Sequence, residues 1–216
     1  LVFALISVLI YAQQEPFFRS PEGLSLVSTD LHIHTVFSDG AVWPNIRVDE
    51  ALRERLDLIS ITDHLEYQPH QADIPHPNRN RSYDIARDHA KDSELTVIKG
   101  AEITRSMPPG HINAVFIRDV NKLLFPDDAK AAILEANKQD GFVFWNHPNW
   151  EAQRPDDIAR LEPLHKELIK KKLLHGIEVV NFTTFSEEAM TIALENDLTI
   201  VGTSDVHGLT TWDFRI

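Results

Sequence analysis

The chain contains no cysteine among its 216 residues. Thiolate metal sites, cysteine nucleophiles and disulfides are excluded, so any metal it holds is bound through nitrogen and oxygen. An excess of positive charge is missing too: 21 Lys and Arg stand against 33 Asp and Glu, for a formal net charge of −12. With no basic stripe to displace counterions from a phosphate backbone, a nonspecific nucleic-acid-binding surface is excluded. An acidic protein still binds phosphate where metal ions invert the local field. Internal repeats and low-complexity stretches are absent as well. The uncharged apolar run over residues 1–12 is too short to span a bilayer. It reads as the h-region of a secretory signal cut near Ala12, without an initiator Met or a basic n-region; a buried strand or helix is the alternative. The expectation is a secreted or periplasmic protein with no membrane anchor after cleavage. Residues 13–27 lead into one globular domain over 28–216, a length that buries a sizeable core.

What the chain does have is histidine beside carboxylate. Short motifs run along its whole length: Asp30-Leu-His32-Ile-His34, Asp39, Asp63-His64, Glu102, His111, His147 and Asp205-Val-His207. Imidazole with carboxylate suits borderline divalent ions such as zinc, manganese or iron, and this set exceeds what one ion uses. In His32-x-His34 and Asp205-x-His207, alternate residues of an extended segment point to one side, so each pair can reach one ion. Asp63 and His64 could equally cap a helix or satisfy a loop.

Apolar β-branched runs predict strands over 26–30, 58–62, 96–102, 112–117, 142–146, 177–181 and 199–203. Helices are predicted over 45–56, 83–92, 127–139, 155–173 and 186–196. Asp128 and Ser186 are placed as helix N-terminal residues, and Pro163 predicts a kink or break in the fourth helix. Alternating strands and helices imply a parallel α/β sheet or barrel, in which chemistry sits where strands end. Most of the histidine motifs lie at such ends. His111 precedes its strand instead, and too few residues separate it from Glu102 for a crossover helix. The fourth strand should therefore return antiparallel and set His111 beside Glu102.

These segments, Asp30 to Gly40, Ile61-Thr-Asp-His64, Gly100-Ala-Glu102, Gly110-His-Ile-Asn113, Asn146-His-Pro148 and Thr203 to Gly208, together resemble the polymerase and histidinol phosphatase (PHP) superfamily of metal-dependent phosphoesterases. The resemblance covers about residues 28 to 208. It implies a distorted seven-stranded β/α barrel, incomplete at its C-terminal end here, with three divalent metal ions. By that resemblance His32, His34, Glu102 and Asp205 hold the first ion. Glu102 bridges to a second held by His111 and His147, and Asp39, His64 and His207 hold the third. The leader and the long 63–81 loop look most like a secreted phosphodiesterase branch. With no helix after the last strand, the natural chain is expected to continue past Ile216.

Ions so held support hydrolysis of a small phosphate ester by a bridging hydroxide, with diesters slightly preferred. Asp63 is a candidate for orienting His64, and Arg79, Arg81 and Arg105 are candidates for contacting substrate, Arg105 foremost. Glu178 lies in an apolar strand and needs a partner there, either orienting a ligand or a water or paired with Arg or Lys. The loop with His70 and His76 is expected to cover the mouth, while His89, His165 and His175 read as surface residues. Trp43, Trp145, Trp150 and Trp212 read as core or rim. Two rivals remain: an amidohydrolase acting on amides or carboxylic esters, and a noncatalytic metal-binding PHP module. Asp39, Asp63-His64 and the Glu102/His111 hairpin favour the phosphoesterase.

Overall fold

Parallel pairing carries most of the sheet in the computed structural model, which describes residues 20–213; the signal-like run lies outside the described residues. Strands β1 (Thr29–Asp30), β2 (Leu58–Ile61) and β3 (Thr96–Ile103) run parallel. β4 (Ile112–Val115) is antiparallel to both β3 and β5 (Phe142–Trp145). β6 (Gly176–Asn181) and β8 (Thr199–Thr203) resume the parallel direction, and the two-residue β7 (Thr184–Phe185) folds back on β6. Past the ends of β1 and β8, Ile33 bridges Val206 in parallel. The sheet therefore curls back on itself at one mouth, giving a distorted, incomplete β/α barrel.

Helices α1 (Pro44–Arg53), α2 (Arg81–Ala90), α3 (Ala129–Lys138), α4 (Pro163–Lys170) and α5 (Glu187–Asn196) lie between the strands. Their apolar stripes form the core against the sheet. Val48, Ala51 and Ala86 pack with Ile59 and Ile61. Leu168 and Ile192 join Ile103, Ile112, Trp145 and Ile177 in a larger cluster. None of the described helices is long and apolar enough to cross a membrane. Two caps sit where the sequence places them: Asp128 accepts from Ala131 N at 2.9 Å, and Ser186 accepts from Ala189 N at 3.2 Å.

Three expectations need correction. The first strand is only Thr29–Asp30, because Leu26 and Val27 are exposed and just two of its residues find partners on β2. The fourth helix does not span 155–173 with a kink. It begins at Pro163, whose missing N–H costs nothing in the first turn, and residues before it form a loop. A short helix, Thr210–Asp213, does follow the last strand.

His165 is a core residue, against the surface reading. Its ring is fully buried and stacks on Trp145 at 4.0 Å between centroids. Nε2 donates to the Pro109 carbonyl at 2.6 Å and Nδ1 accepts from Glu162 N at 3.1 Å, a pattern only neutral imidazole satisfies. His175 is half-buried, its Nδ1 accepting from Val143 N, whereas His89 is exposed and pairs with Asp49 as expected.

Burial holds the His165 pKa down to about 4. The unfolded chain takes up that proton near pH 6.5, so stability is full above 6.5 and falls as pH drops from there to about 4, by about 3 kcal/mol. His165→Phe should flatten this part of the curve while lowering stability at pH 7.5 through the two lost hydrogen bonds. Urea unfolding at pH 7.5 and 4.5 in chelator measures both effects.

Candidate metal centre

The mouth where the sheet closes gathers residues from strand ends far apart in the chain. Beyond β1, extended backbone sends His32 and His34 into the barrel, both fully buried, while Ile33 between them faces the core. Asp39 sits on the following turn. Gly40 ends that turn so close to the His34 and Thr35 backbone, 2.7 Å from an added Cβ, that no side chain fits. His64 follows β2, Glu102 is near the end of β3, and His111 immediately precedes the reversed β4, at the same end of the hairpin as Glu102. His147 follows β5, and Asp205 and His207 follow β8.

All nine residues meet there. His32 Nε2 and His34 Nε2 are 3.0 Å apart, and Asp205 Oδ1 is 3.1 Å from each. Donor atoms bound to one ion at about 2.0 Å in a tetrahedron lie about 3.3 Å apart, so these three have the edge lengths of a coordination shell. Glu102, fully buried, lies 3.5 Å from His32, 3.6 Å from His34, 3.0 Å from His111 and 3.6 Å from His147. Asp39 lies 3.6 Å from His34, 3.4 Å from His64 and 3.3 Å from His207. Three groups could each hold an ion: His32, His34 and Glu102; His64, Glu102 and His111; and His34, Asp39, His64 and His207. The grouping differs in three respects from the set the family resemblance implies: Asp205 falls in none of the three groups, His34 also joins Asp39, His64 and His207, and His147 is missing from the second. His64, 2.5 Å from Glu102, takes the place beside His111 that the resemblance gives to His147.

Several buried polar atoms here have no hydrogen-bond partner: Asp39 Oδ1, Glu102 Oε2, Asp205 Oδ1 and His147 Nδ1. Buried carboxylate oxygens without well-formed hydrogen bonds are costly, and a divalent cation shared with the imidazole nitrogens beside them offsets that cost. The donor set is all nitrogen and oxygen, so the residues fit zinc, manganese or iron.

An outer layer fixes these side chains. Buried Glu178 is the residue whose role was open: Oε1 accepts from His32 Nδ1 and Thr203 Oγ1, each at 2.7 Å, and Oε2 accepts from His147 N at 2.7 Å. It thereby orients the His32 ring and clamps the backbone of His147, its partners being these groups rather than an Arg or Lys. His147 and Asp205 both adopt positive φ, 27° and 50°, a conformation costing roughly 1–3 kcal/mol each that surrounding bonds must hold. Asn146 donates to Glu102 Oε1 at 2.7 Å, Thr104 Oγ1 lies 2.6 Å from His64 Nδ1, and Asn181 donates to Asp205 at 3.2 Å. Buried Arg47 donates to the carbonyls of His34, Val206, His207 and Gly208, tying the first ligand loop to the last. Sequence reasoning missed Arg47, Asn146 and Thr104. Asn146 stands in the Asn-His-Pro motif, but α1 gives no sign that its arginine is buried.

Asp63 does not touch the His64 ring. It accepts from Thr35 N at 2.7 Å, Thr35 Oγ1 at 2.8 Å and Ser38 Oγ at 2.8 Å, and Ser38 Oγ lies 3.3 Å from His34 Nδ1. It holds the turn behind the first ligand pair, because a carboxylate at the end of β2 faces the backbone N–H groups of that turn. The arginines are likewise placed otherwise than expected. Arg105 pairs with Glu66 at 2.7 Å and donates to the carbonyls of Thr104 and Phe125. Arg79 bonds Gln68 and the His76 carbonyl, and Arg81 is exposed at the start of α2. Beyond His64, the 63–81 loop packs beside the site rather than over it: His76 is buried edge-on to Phe37, His70 accepts backbone bonds within its own turn, and Glu66 and Tyr67 line a neighbouring cavity. Trp145 is core, Trp150 forms part of the rim, and Trp43 is exposed.

Burial opposes the charge of Asp39 and Asp205, but surrounding imidazoles outweigh it. Bonds from His207 and His64 hold Asp39 below the carboxylate range, and His32 with His34 does the same for Asp205. Burial and the neighbouring His64 charge push His34 down to about 4, leaving it neutral and ready to ligate. For His64 burial works downward, yet Glu102 and Asp39 raise it to about 10. The cluster opens into a cavity of about 710 Å³, whose outer wall carries Asn149, Trp150, Phe182 and Thr184.

Neither family models nor curated proteins match the chain. Among solved structures, it is similar to a two-domain Bacteroides vulgatus protein named as containing a predicted PHP-like metal-dependent phosphoesterase. The two are 47% identical with a TM-score of 0.83, over 87% of this chain and 54% of that one. The chain thus spans about half the length of that relative. A Bifidobacterium adolescentis protein named as a metal-dependent phosphoesterase shares 19% identity and a TM-score of 0.64, over 85% of this chain and 89% of its own. An amidohydrolase from Chromobacterium violaceum, carrying sulfate and no metal, shares 15% identity and a TM-score of 0.61, over 84% and 88%. The last two likenesses show the fold alone.

Two measurements check the centre. Glu178→Gln should weaken divalent-metal affinity by about 10–100-fold in a chelator competition while the circular dichroism stays native. Metal uptake at pH 7 should displace the His64 proton, so affinity falls as pH drops and the calorimetric heat varies with buffer ionisation enthalpy.

Proposed function

We propose that this chain, which belongs to the polymerase and histidinol phosphatase superfamily, hydrolyses small phosphate esters at a site holding three divalent ions. The observation that carries the reading is the convergence of buried carboxylate oxygens on Asp39, Glu102 and Asp205, which lack well-formed hydrogen bonds, with six imidazoles at one mouth. Following the family resemblance, His32, His34, Glu102 and Asp205 would hold one ion, Glu102 with His111 and His147 a second, and Asp39, His64 and His207 a third; His64, grouped with Glu102 and His111 before any ion is bound, would turn to the third and His147, 3.6 Å from Glu102, would take its place. Bound ions of this kind polarise a phosphoryl oxygen and bring water to ionisation near neutral pH.

The chain's own residues supply position. Glu178 and Asn146 fix the orientation of His32 and Glu102, and the Asp63–Ser38 contact backs His34. No Lys or Arg lines the metal cavity among the described residues, so the substrate phosphate meets its positive charge at the ions alone. That arrangement supports an anionic ester group placed against the cluster. On the apolar run over residues 1–12, we also propose that the protein acts outside the cytoplasm.

Elemental analysis of the purified protein should return about three divalent ions per chain. With those ions bound, p-nitrophenol should be released from p-nitrophenyl phosphate esters and not from p-nitrophenyl acetate. Preference for the acetate would make the protein an amidohydrolase-type enzyme, and metal binding without turnover would make it a noncatalytic module. His207→Ala should lower kcat/KM by more than roughly a hundredfold with the fold intact, whereas His89→Ala should change little.

A further inference from the structure

The metal cavity does not end at the cluster. A second open lobe of about 600 Å³, lined by Glu66, Tyr67, Arg105, Ser106 and Gln153, meets it at His111 and Trp150, which belong to the walls of both. The Trp150 ring stands between the lobes, 5.5 Å from the His111 ring and 5.1 Å from that of His147, and its backbone N–H is fixed to the His147 carbonyl at 2.9 Å. Tyr67, half exposed, meets the His64 ring edge-on from the second side. A phosphorus atom held at the cluster therefore has open space on two sides, with aromatic surface on each.

We propose, resting on the phosphate-ester reading above, that the substrate is a phosphodiester with two uncharged arms, one in each lobe. A monoester fills one lobe and leaves the other to water, whereas a diester buries apolar surface in both. The arms carry no further anionic group. The first lobe has no Lys or Arg, and Glu151 and Asp157 lie on its wall. In the second lobe the Arg105 guanidinium is taken by Glu66 and two backbone carbonyls. In the reaction water adds to phosphorus, the P–O bond to one arm breaks, and a proton from the water passes to the departing alkoxide. The products are an alcohol and a phosphomonoester.

The metal-loaded protein is assayed with bis(p-nitrophenyl) phosphate and p-nitrophenyl phosphate, alongside Ser106→Trp and Ala152→Trp. Both substitutions crowd the second lobe from exposed positions outside the ligand set. Wild-type kcat/KM should favour the diester by about tenfold or more, and each variant should lower that ratio about tenfold at unchanged metal content. A monoester turned over as fast as the diester, or a ratio that neither variant moves, overturns the two-armed substrate and leaves ester hydrolysis standing. Absence of turnover of either ester overturns both.

Discussion

The constraint on which this molecule rests is the burial of Glu102. A carboxylate with no exposed surface, set in β3 between Ala101 and Ile103 of the core, is stable only if other groups compensate its charge. Those groups come from elsewhere in the chain: His32 and His34 before α1, His64 after β2, His111 across the hairpin, and His147 after β5. The barrel's curl, the reversal of β4 and the closing bridge between Ile33 and Val206 all serve to bring them to one point. The same convergence that neutralises Glu102 leaves several carboxylate oxygens aimed at shared space, where cations belong.

Much of this was legible in the sequence because the relevant signals are local. Strand identity follows from apolar β-branched runs, and ligand placement follows from strand ends. The reversal of β4 follows from arithmetic alone, since the segment between Glu102 and His111 leaves no room for a helix. The caps at Asp128 and Ser186 are equally local. Pro163 was ambiguous, because proline breaks a helix interior but opens a helix at its first turn, and the sequence does not say which turn it occupies.

What was not legible is what depends on partners distant in sequence. Arg47 looks like any charged residue of an amphipathic helix until the carbonyls of His34, Val206, His207 and Gly208 surround it. Asp63 is adjacent to His64 in the chain, yet it faces away to the Thr35–Ser38 turn, since consecutive residues at a strand end point to opposite sides. His165 reads as a surface residue in a charged helix, but a carbonyl from the Pro109 turn and the face of Trp145 make a slot for one neutral ring. Arg105 is held for the same kind of reason: Glu66, distant in sequence, pairs with its guanidinium. In each case the side chain's role is set by which atoms lie opposite it after folding.

Arg47 joins the earliest ligand segment to the latest. Until Val206, His207 and Gly208 leave the ribosome, the guanidinium has only part of its acceptor set, and His32 and His34 lack Asp205 beside them. The cluster around His32 and His34 is therefore complete only when the end of β8 is in place. A cation bound there would act as a clasp between the two ends of the described sheet, so its loss would loosen the closure of the barrel as well as empty the site.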